Sequence, residues 1–217
     1  MNRSQRRLSK SAEELGLRLA LLTDVPEQDG AALAQSTGLP EIPSGKLSKL
    51  LIGGRPDGEV RLFEVAHMEQ SAFEGGDLLT YACGLVALNA PSAAMAIRTI
   101  PADWTKKVGP LRPLLRIGLA LVGLVAGLPV REKRASDLKT GDRELDERVL
   151  IEAPATIVTR TVQDVRTRSW LLALKAGWTI VVRDSWLLVM RQGELRSETV
   201  LELLRTLEGA RLLARHQ

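Results

Sequence analysis

The chain has 217 residues, 45% hydrophobic and 26% charged, which is ordinary for a globular protein and excludes extended disorder. Its single cysteine, Cys83, excludes an internal disulfide framework and fits a reducing compartment. Aromatics amount to only 3%, so the core must be built from Leu, Val, Ile and Ala, and no base-stacking platform for nucleic acid is expected.

The net charge of +4 is unevenly spread. Residues 1–10 carry Arg3, Arg6, Arg7 and Lys10 and no acid. Residues 98–134 carry Arg98, Lys106, Lys107, Arg112, Arg116, Arg131, Lys133 and Arg134 against Asp103 and Glu132. The remainder of the chain is net acidic.

In chain order, Ser11 followed by Glu14 forms a capping box, because hydroxyl and carboxylate can each satisfy a free amide of a first helical turn. Leu15, Leu19 and Leu22 follow at helical spacing, which predicts a helix that stops before Pro26. Apolar residues there are broken by Glu13, Glu14 and Arg18, so this is no signal peptide, and a cytoplasmic location is expected. Residues 23–45 read as an irregular connector with one short helix around Ala31–Gln35. In "KLLIGGRPDGEVRLFEVAH" two apolar runs flank a Pro/Gly turn, which predicts a β-hairpin with strands near 47–52 and 58–66. "ACGLVALNA" predicts a buried strand ending in a turn at Asn89–Pro91, with "AMAIRTI" beyond it.

Further on, Pro154 suits a first helical position, and Thr161 with Asp164 predicts a second capped helix that stops at Gly177. "WTIVVRDSWLLVMRQG" predicts two strands around a tight turn at Asp184–Ser185. Ser197 caps a last helix with Val200, Leu203, Leu204, Leu207 and Leu213 on one face. The expected fold class is α+β: two small antiparallel-sheet lobes with packed helices, the C-terminal one a helix–hairpin–helix. The expected division is an N-terminal lobe over 1–100, a basic and apolar connecting segment over 101–134, and a C-terminal lobe over 135–217.

The blocks "KLLIGGRPDGEVRLFEVAH", "CGLVAL", "DLKTGDRELDERVLIEAP" and "SWLLALKAGWTIVVRDSWLLVMRQG" resemble those of an uncharacterised bacterial domain family, over roughly residues 45–215. Many members of that family place the domain after one or two membrane-spanning helices. Leu145 stands where the family tends to have an aromatic, and "LFEVAH" lacks its tyrosines. The resemblance implies an α+β fold and no particular activity.

Catalytic constellations are not assembled in the sequence. Zinc ligation needs about four Cys, His or carboxylate ligands, and only Cys83, His67 and His216 are on offer besides acids. His67 has no nucleophile-elbow partner and reads as a strand-end or surface histidine. "PSGKLSK" lacks the first glycine and the hydroxyl of a phosphate-binding loop. "TGDRELDER" gathers four acids. Asp142 and Asp146 would share a helix face and suit a divalent cation, or the block is a capped, salt-bridged turn leading into "RVLIEA". No catalytic, cofactor or metal residues are assigned.

"RIGLALVGLVAGLPV" is the one stretch unlike an ordinary soluble domain: Ile117–Val130 contains no charge and no hydrogen-bonding side chain. As a helix it would reach about 21 Å, against a hydrocarbon thickness near 30 Å, which disfavours spanning. Two uses remain: packing against the protein or a partner, or lying in a membrane interface with Arg112, Arg116, Arg131, Lys133 and Arg134 near anionic headgroups and Leu121, Leu124 and Leu128 in the apolar layer. The expected function is a non-catalytic binding or scaffolding domain. The alternatives are a peripheral membrane module using 117–130 and, behind it, a divalent-cation-dependent enzyme using the acidic block. The expected partner is accordingly another protein or an anionic membrane surface.

Overall fold

Six helices and six strands form the part of the chain that the computed structural model describes, residues 3–20, 29–55, 58–69, 77–100 and 140–214. In order they are α1 (Arg3–Glu14), β1 (Arg18–Leu19), α2 (Gly30–Thr37), β2 (Lys46–Arg55), β3 (Gly58–Glu69), β4 (Asp77–Thr99), α3 (Arg143–Arg148), β5 (Val149–Glu152), α4 (Ala155–Gln163), α5 (Val165–Ala173), β6 (Trp178–Gln192) and α6 (Ser197–Ala214). The α+β class expected from the sequence is therefore present. The strands, however, form one six-stranded antiparallel sheet rather than two small ones.

The reason lies in β4 and β6. β4 runs for 23 residues and is hydrogen-bonded to β3 through its first half and to β5 through its last four residues, while β6 accompanies both halves. Neither reversal expected within these segments occurs. At Asn89–Pro91 the chain continues as strand, and the register slips: β4 advances from Ala87 to Ser92 while β6 moves only from Trp186 to Asp184. Opposite that bulge, Asp184 adopts φ 49°, the one non-glycine at positive φ among the described residues and a conformation that Asp tolerates better than most. The two halves of "WTIVVRDSWLLVMRQG" thus pair with β4 instead of with each other.

These irregularities bend the ribbon. The Arg191 guanidinium lies 5.3 Å from the centre of the Trp178 ring. Both belong to β6, and along a straight strand their separation would be roughly 40 Å. Glu202 of α6 closes the loop by binding Lys175 at 3.2 Å and Arg191 at 2.5 Å, so both ends of β6 converge on α6. The sheet has two wings that share β4 and β6.

Residue alternation assigns the two faces. Leu62, Val86, Met95, Ile97, Ile180, Val182, Leu187 and Val189 point into a core completed by Leu8 and Ala12 of α1, Ile157 and Val158 of α4, Leu171 of α5 and Val200, Leu203, Leu207, Ala210 and Leu213 of α6. Phe63, Val65, Cys83, Leu85, Val181 and Leu188 face the other way, under Leu33 of α2 and the following Leu39 and Ile42. Both faces are covered, which is why these strands read as apolar runs rather than as clean alternation. Burial pushes the Cys83 thiol far above its ordinary range, because no charged partner offsets desolvation of a thiolate.

Several local expectations need correction. α1 begins at Arg3 and ends at Glu14, so Ser11 lies inside the helix; Gly16 at φ 72° stops it, and Leu19 belongs to β1. Packing of Leu8 and Ala12 draws the preceding turns into helix, outweighing the local capping signal. Thr161 likewise caps nothing. It is buried in α4 with its hydroxyl unpartnered among the described residues, and Asp164 caps α5, accepting from Thr167 N at 2.8 Å. The helix around 31–35 is α2, capped by Asp29 and closed by Gly38 at φ 69°. The hairpin strands are β2 and β3, and the last helix is present but has Ser197 as its first residue rather than as its cap, Val200 N–H bonding to Arg196 O before it.

Close approach explains two glycines. A Cβ on Gly84, in mid-strand, would meet Leu207 Cδ1 at 2.9 Å and Leu62 Cδ2 at 3.1 Å, so its absence lets α6 settle onto β4. On Gly209 of α6 a Cβ would stand 2.0 Å from Trp170 Nε1. Gly209→Ala should therefore lower stability by about 1–3 kcal/mol despite the better helix propensity of alanine. Thermal unfolding followed by circular dichroism checks this, and a Trp170→Leu background should remove most of the loss.

Candidate functional site

The sequence-derived contact residues Arg112, Arg116, Leu121, Leu124, Leu128, Arg131, Lys133 and Arg134 lie outside the described residues, as does the rest of 101–139. What the structure does show is the root of that segment. Ile100, the last described residue before it, donates its N–H to Arg148 O at 2.8 Å. Thr140, the first after it, donates both N–H (2.8 Å) and hydroxyl (2.7 Å) to Asp146 Oδ1. Asp146 and Arg148 both belong to α3, a helix of six residues. Ile100 and Thr140 therefore meet at one corner of the fold.

The acidic block builds that corner. Asp142 caps α3, accepting from Glu144 N at 3.1 Å and Leu145 N at 3.3 Å, and its other oxygen accepts from Arg168 of α5. Arg168 also reaches Glu144 at 3.5 Å, Arg143 pairs with Glu147 at 3.1 Å, and Arg148 donates to Leu172 O at 3.1 Å. Leu145, wholly buried between these polar groups, pins the helix to the core. The Arg168 hydrogen bond, then the Leu145 amide, hold the Asp142 carboxyl below the ordinary carboxylate range. Asp142 and Asp146 are thus engaged in separate hydrogen-bond sets, and among the described residues no group of three His, Cys, Asp or Glu is placed to hold a metal ion.

The other polar clusters tie distant segments together. Glu64, buried on β3, accepts from Ser48 Oγ, from Lys49 Nζ at 2.8 Å and from Leu195 N at 2.6 Å, and Lys49 also donates to Leu195 O at 3.1 Å. Arg183 pairs with Glu41 at 2.6 Å across the α2 side of the sheet. Thr99 accepts from Trp178 N at 2.8 Å and donates to Lys175 O at 2.8 Å. His67 sits near the end of β3 with Nδ1 2.6 Å from Ser44 O, so that nitrogen carries a proton and donates. An open groove of about 380 Å³ beside β1 is lined by Glu13, Arg18, Gly54 and Glu59, but Glu59 is already paired with Arg61 at 2.7 Å.

No helix among the described residues is long and apolar enough to cross a membrane. The fold and its corner define an α+β domain whose single bent sheet is packed with helices. Among solved structures the chain is similar to the mycobacterial trehalose monomycolate transport factor A, TtfA, with a TM-score of 0.58 and 13% identity over 99% of this chain and 97% of that one. At that identity the likeness shows a shared fold. No protein-family model and no curated relative matches the chain.

The depressed Asp142 carboxyl makes a stability prediction. A carboxylate whose folded value lies below its unfolded value stabilises the protein above the unfolded value, about 3.9, and the contribution fades as pH falls through the folded one. Asp142→Asn should melt below the wild type at pH 7, and the two melting temperatures should converge as pH drops beneath about 4. A gap that persisted unchanged at pH 2 would show that shape, not charge, holds the corner.

Proposed function

We propose that this chain is a non-catalytic binding or scaffolding domain. The observation that carries the reading is that the side chains best suited to chemistry, Asp142, Asp146 and His67, each serve a structural hydrogen bond at the ends of α3 or β3. The shared fold adds support: the similar structure is that of a transport factor, a description that fits binding rather than bond-making. The competing reading is a divalent-cation enzyme built on the acidic block. Calorimetry with magnesium, calcium and manganese discriminates the two. The binding reading expects no heat at millimolar metal, whereas saturable binding lost in Asp142→Asn together with metal-dependent hydrolase turnover would replace it.

A second reading has an observation of its own. Ile100 and Thr140 are tied to the same short helix, so residues 101–139 begin and end at one corner, and their sequence carries the uninterrupted apolar run with basic flanks. Such a sequence suits a peripheral contact with the inner face of a membrane, apolar residues in the interface and Arg112, Arg116, Arg131, Lys133 and Arg134 near anionic headgroups. Leu121→Asp with Leu124→Asp should abolish co-sedimentation with anionic liposomes and leave the thermal transition nearly unchanged. If the segment is instead packed into the protein, the same change buries unpaired charges and the chain should fail to fold.

A further inference from the structure

Helix α1 carries its charges in the order that folding disfavours. A helix N-terminus is the positive end of its dipole, so acids belong in the first turn and bases in the last. α6 obeys this, with Glu198 in its first turn and Arg211 in its last, and so does α3, with Glu144 and Asp146 followed by Arg148; α5 opens on Arg166 and Arg168, but Arg168 is paired there with Asp142 and Glu144. In α1 the first turn holds no acid and ends on Arg6, Arg7 follows it, Lys10 lies just past the middle of the helix, and Glu13 and Glu14 come at the end. Arg6 and Lys10 are also four residues apart, a like-charge spacing that repels along a helix.

Arg6, Arg7 and Lys10 are all exposed, and none of them makes an ion pair or side-chain hydrogen bond among the described residues. By helical geometry they fall within an arc of roughly 100°, opposite the side from which Leu8 and Ala12 enter the core against α6. The helix is therefore anchored by its apolar side and offers a row of unpaired cations on the other. Among the other described arginines, Arg61, Arg143, Arg168, Arg183, Arg191 and Arg196 have carboxylate partners, whereas Arg98, Arg160, Arg166 and Arg205 are exposed without an ion pair; what distinguishes α1 is three such cations within one helix face.

We infer that the exposed face of α1 is an electrostatic docking surface for an anionic phospholipid bilayer, held there by Arg6, Arg7 and Lys10. A flat, densely charged surface can meet all three cations of one helix face at once, without sequence-specific or aromatic contacts. With aromatics at only 3% the chain offers little for stacking on bases, which favours a bilayer over a nucleic acid. This inference rests on the binding-domain reading and supplies its partner; it does not depend on residues 117–130.

The test is co-sedimentation of the full chain with vesicles of phosphatidylcholine alone and with equimolar phosphatidylglycerol. Binding is expected only to the anionic vesicles and should fade at high salt, where screening shortens to about 3 Å at 1 M. Arg6→Gln, Arg7→Gln and Lys10→Gln combined should weaken it on the order of a hundredfold, at roughly fivefold per cation. The melting temperature of that variant should stay level or rise, since Arg6 opposes the helix dipole and repels Lys10. Arg6→Lys with Arg7→Lys should bind like the wild type. Undiminished binding by the Gln variant, or a wild type that ignores anionic vesicles but shifts duplex DNA, would overturn the inference. So would a lowered melting temperature, which would assign the cations to the fold. Loss of binding in Leu121→Asp/Leu124→Asp but not in the Gln variant would leave residues 117–130 as the membrane contact and remove α1. Failure of the non-catalytic reading shows separately, as metal-dependent turnover.

Discussion

A two-stranded ribbon bent back on itself must bury its inner surface against something narrow, and in this protein that is α6. The bend needs extra length in β4 between Ala87 and Ser92 and the left-handed turn of the chain at Asp184 in β6. It also needs room, which Gly84 provides by letting Leu207 approach the strand. Once the ribbon is bent, the remaining topology follows. The first half of β4 is left with an edge that takes β3, β2 and the short β1, and the last residues of β4 take β5. One continuous sheet results because β4 and β6 resume pairing with each other on both sides of the bend.

Polar side chains hold this arrangement at the points where packing alone would leave segments free to slide. Glu64 joins β2 and β3 to the amide of Leu195, just before α6, so the hairpin and the last helix share one buried carboxylate. Each of its bonds matters, because a buried ion pair contributes little net stability when complete and costs several kcal/mol when one partner is removed. Thr99 does related work at the other wing, linking the end of β4 to Lys175 and Trp178 where β6 begins. The Asp142–Arg168 pair then fixes α3 against α5. These contacts join residues distant in sequence, which is what a bent sheet requires and what short-range propensity does not supply.

That distinction also governs what could be read from the sequence. α2, the β2–β3 hairpin, α6 and the capped turn at residues 142–148 were legible because each depends on neighbours within a few residues: Asp29 and Gly38, the Pro/Gly turn, Ser197 and its apolar face, and Asp142 with its own helix. Asn89–Pro91 and Asp184–Ser185 misled for the opposite reason. Both are genuine interruptions, yet each lies opposite the other, so the ribbon absorbs them together as a bend and neither reverses the chain. α1 began earlier than its capping box because Leu8 and Ala12 gain burial against α6. Of the candidate contacts, the basic start of the chain was visible as composition only. That its cations share one exposed helix face, without partners, required the structure.

Folding stability and surface charge are separated in this molecule, and the separation bears on function. The fasteners are internal or paired: Glu64 with Lys49, Asp142 with Arg168, Glu202 with Lys175 and Arg191. Among its described side chains α1 enters the core through Leu8 and Ala12, so the identity of its outward residues is not set by packing. Electrostatics within the fold favours acids at the start of a helix, as in α3 and α6, or a carboxylate partner for a base there, as for Arg168 of α5. Arg6 of α1 has neither, and it repels Lys10 one turn on. The charge pattern of α1 therefore answers to something outside the fold, and the simplest object that repays three unpaired cations along one helix face is a surface of fixed negative charge.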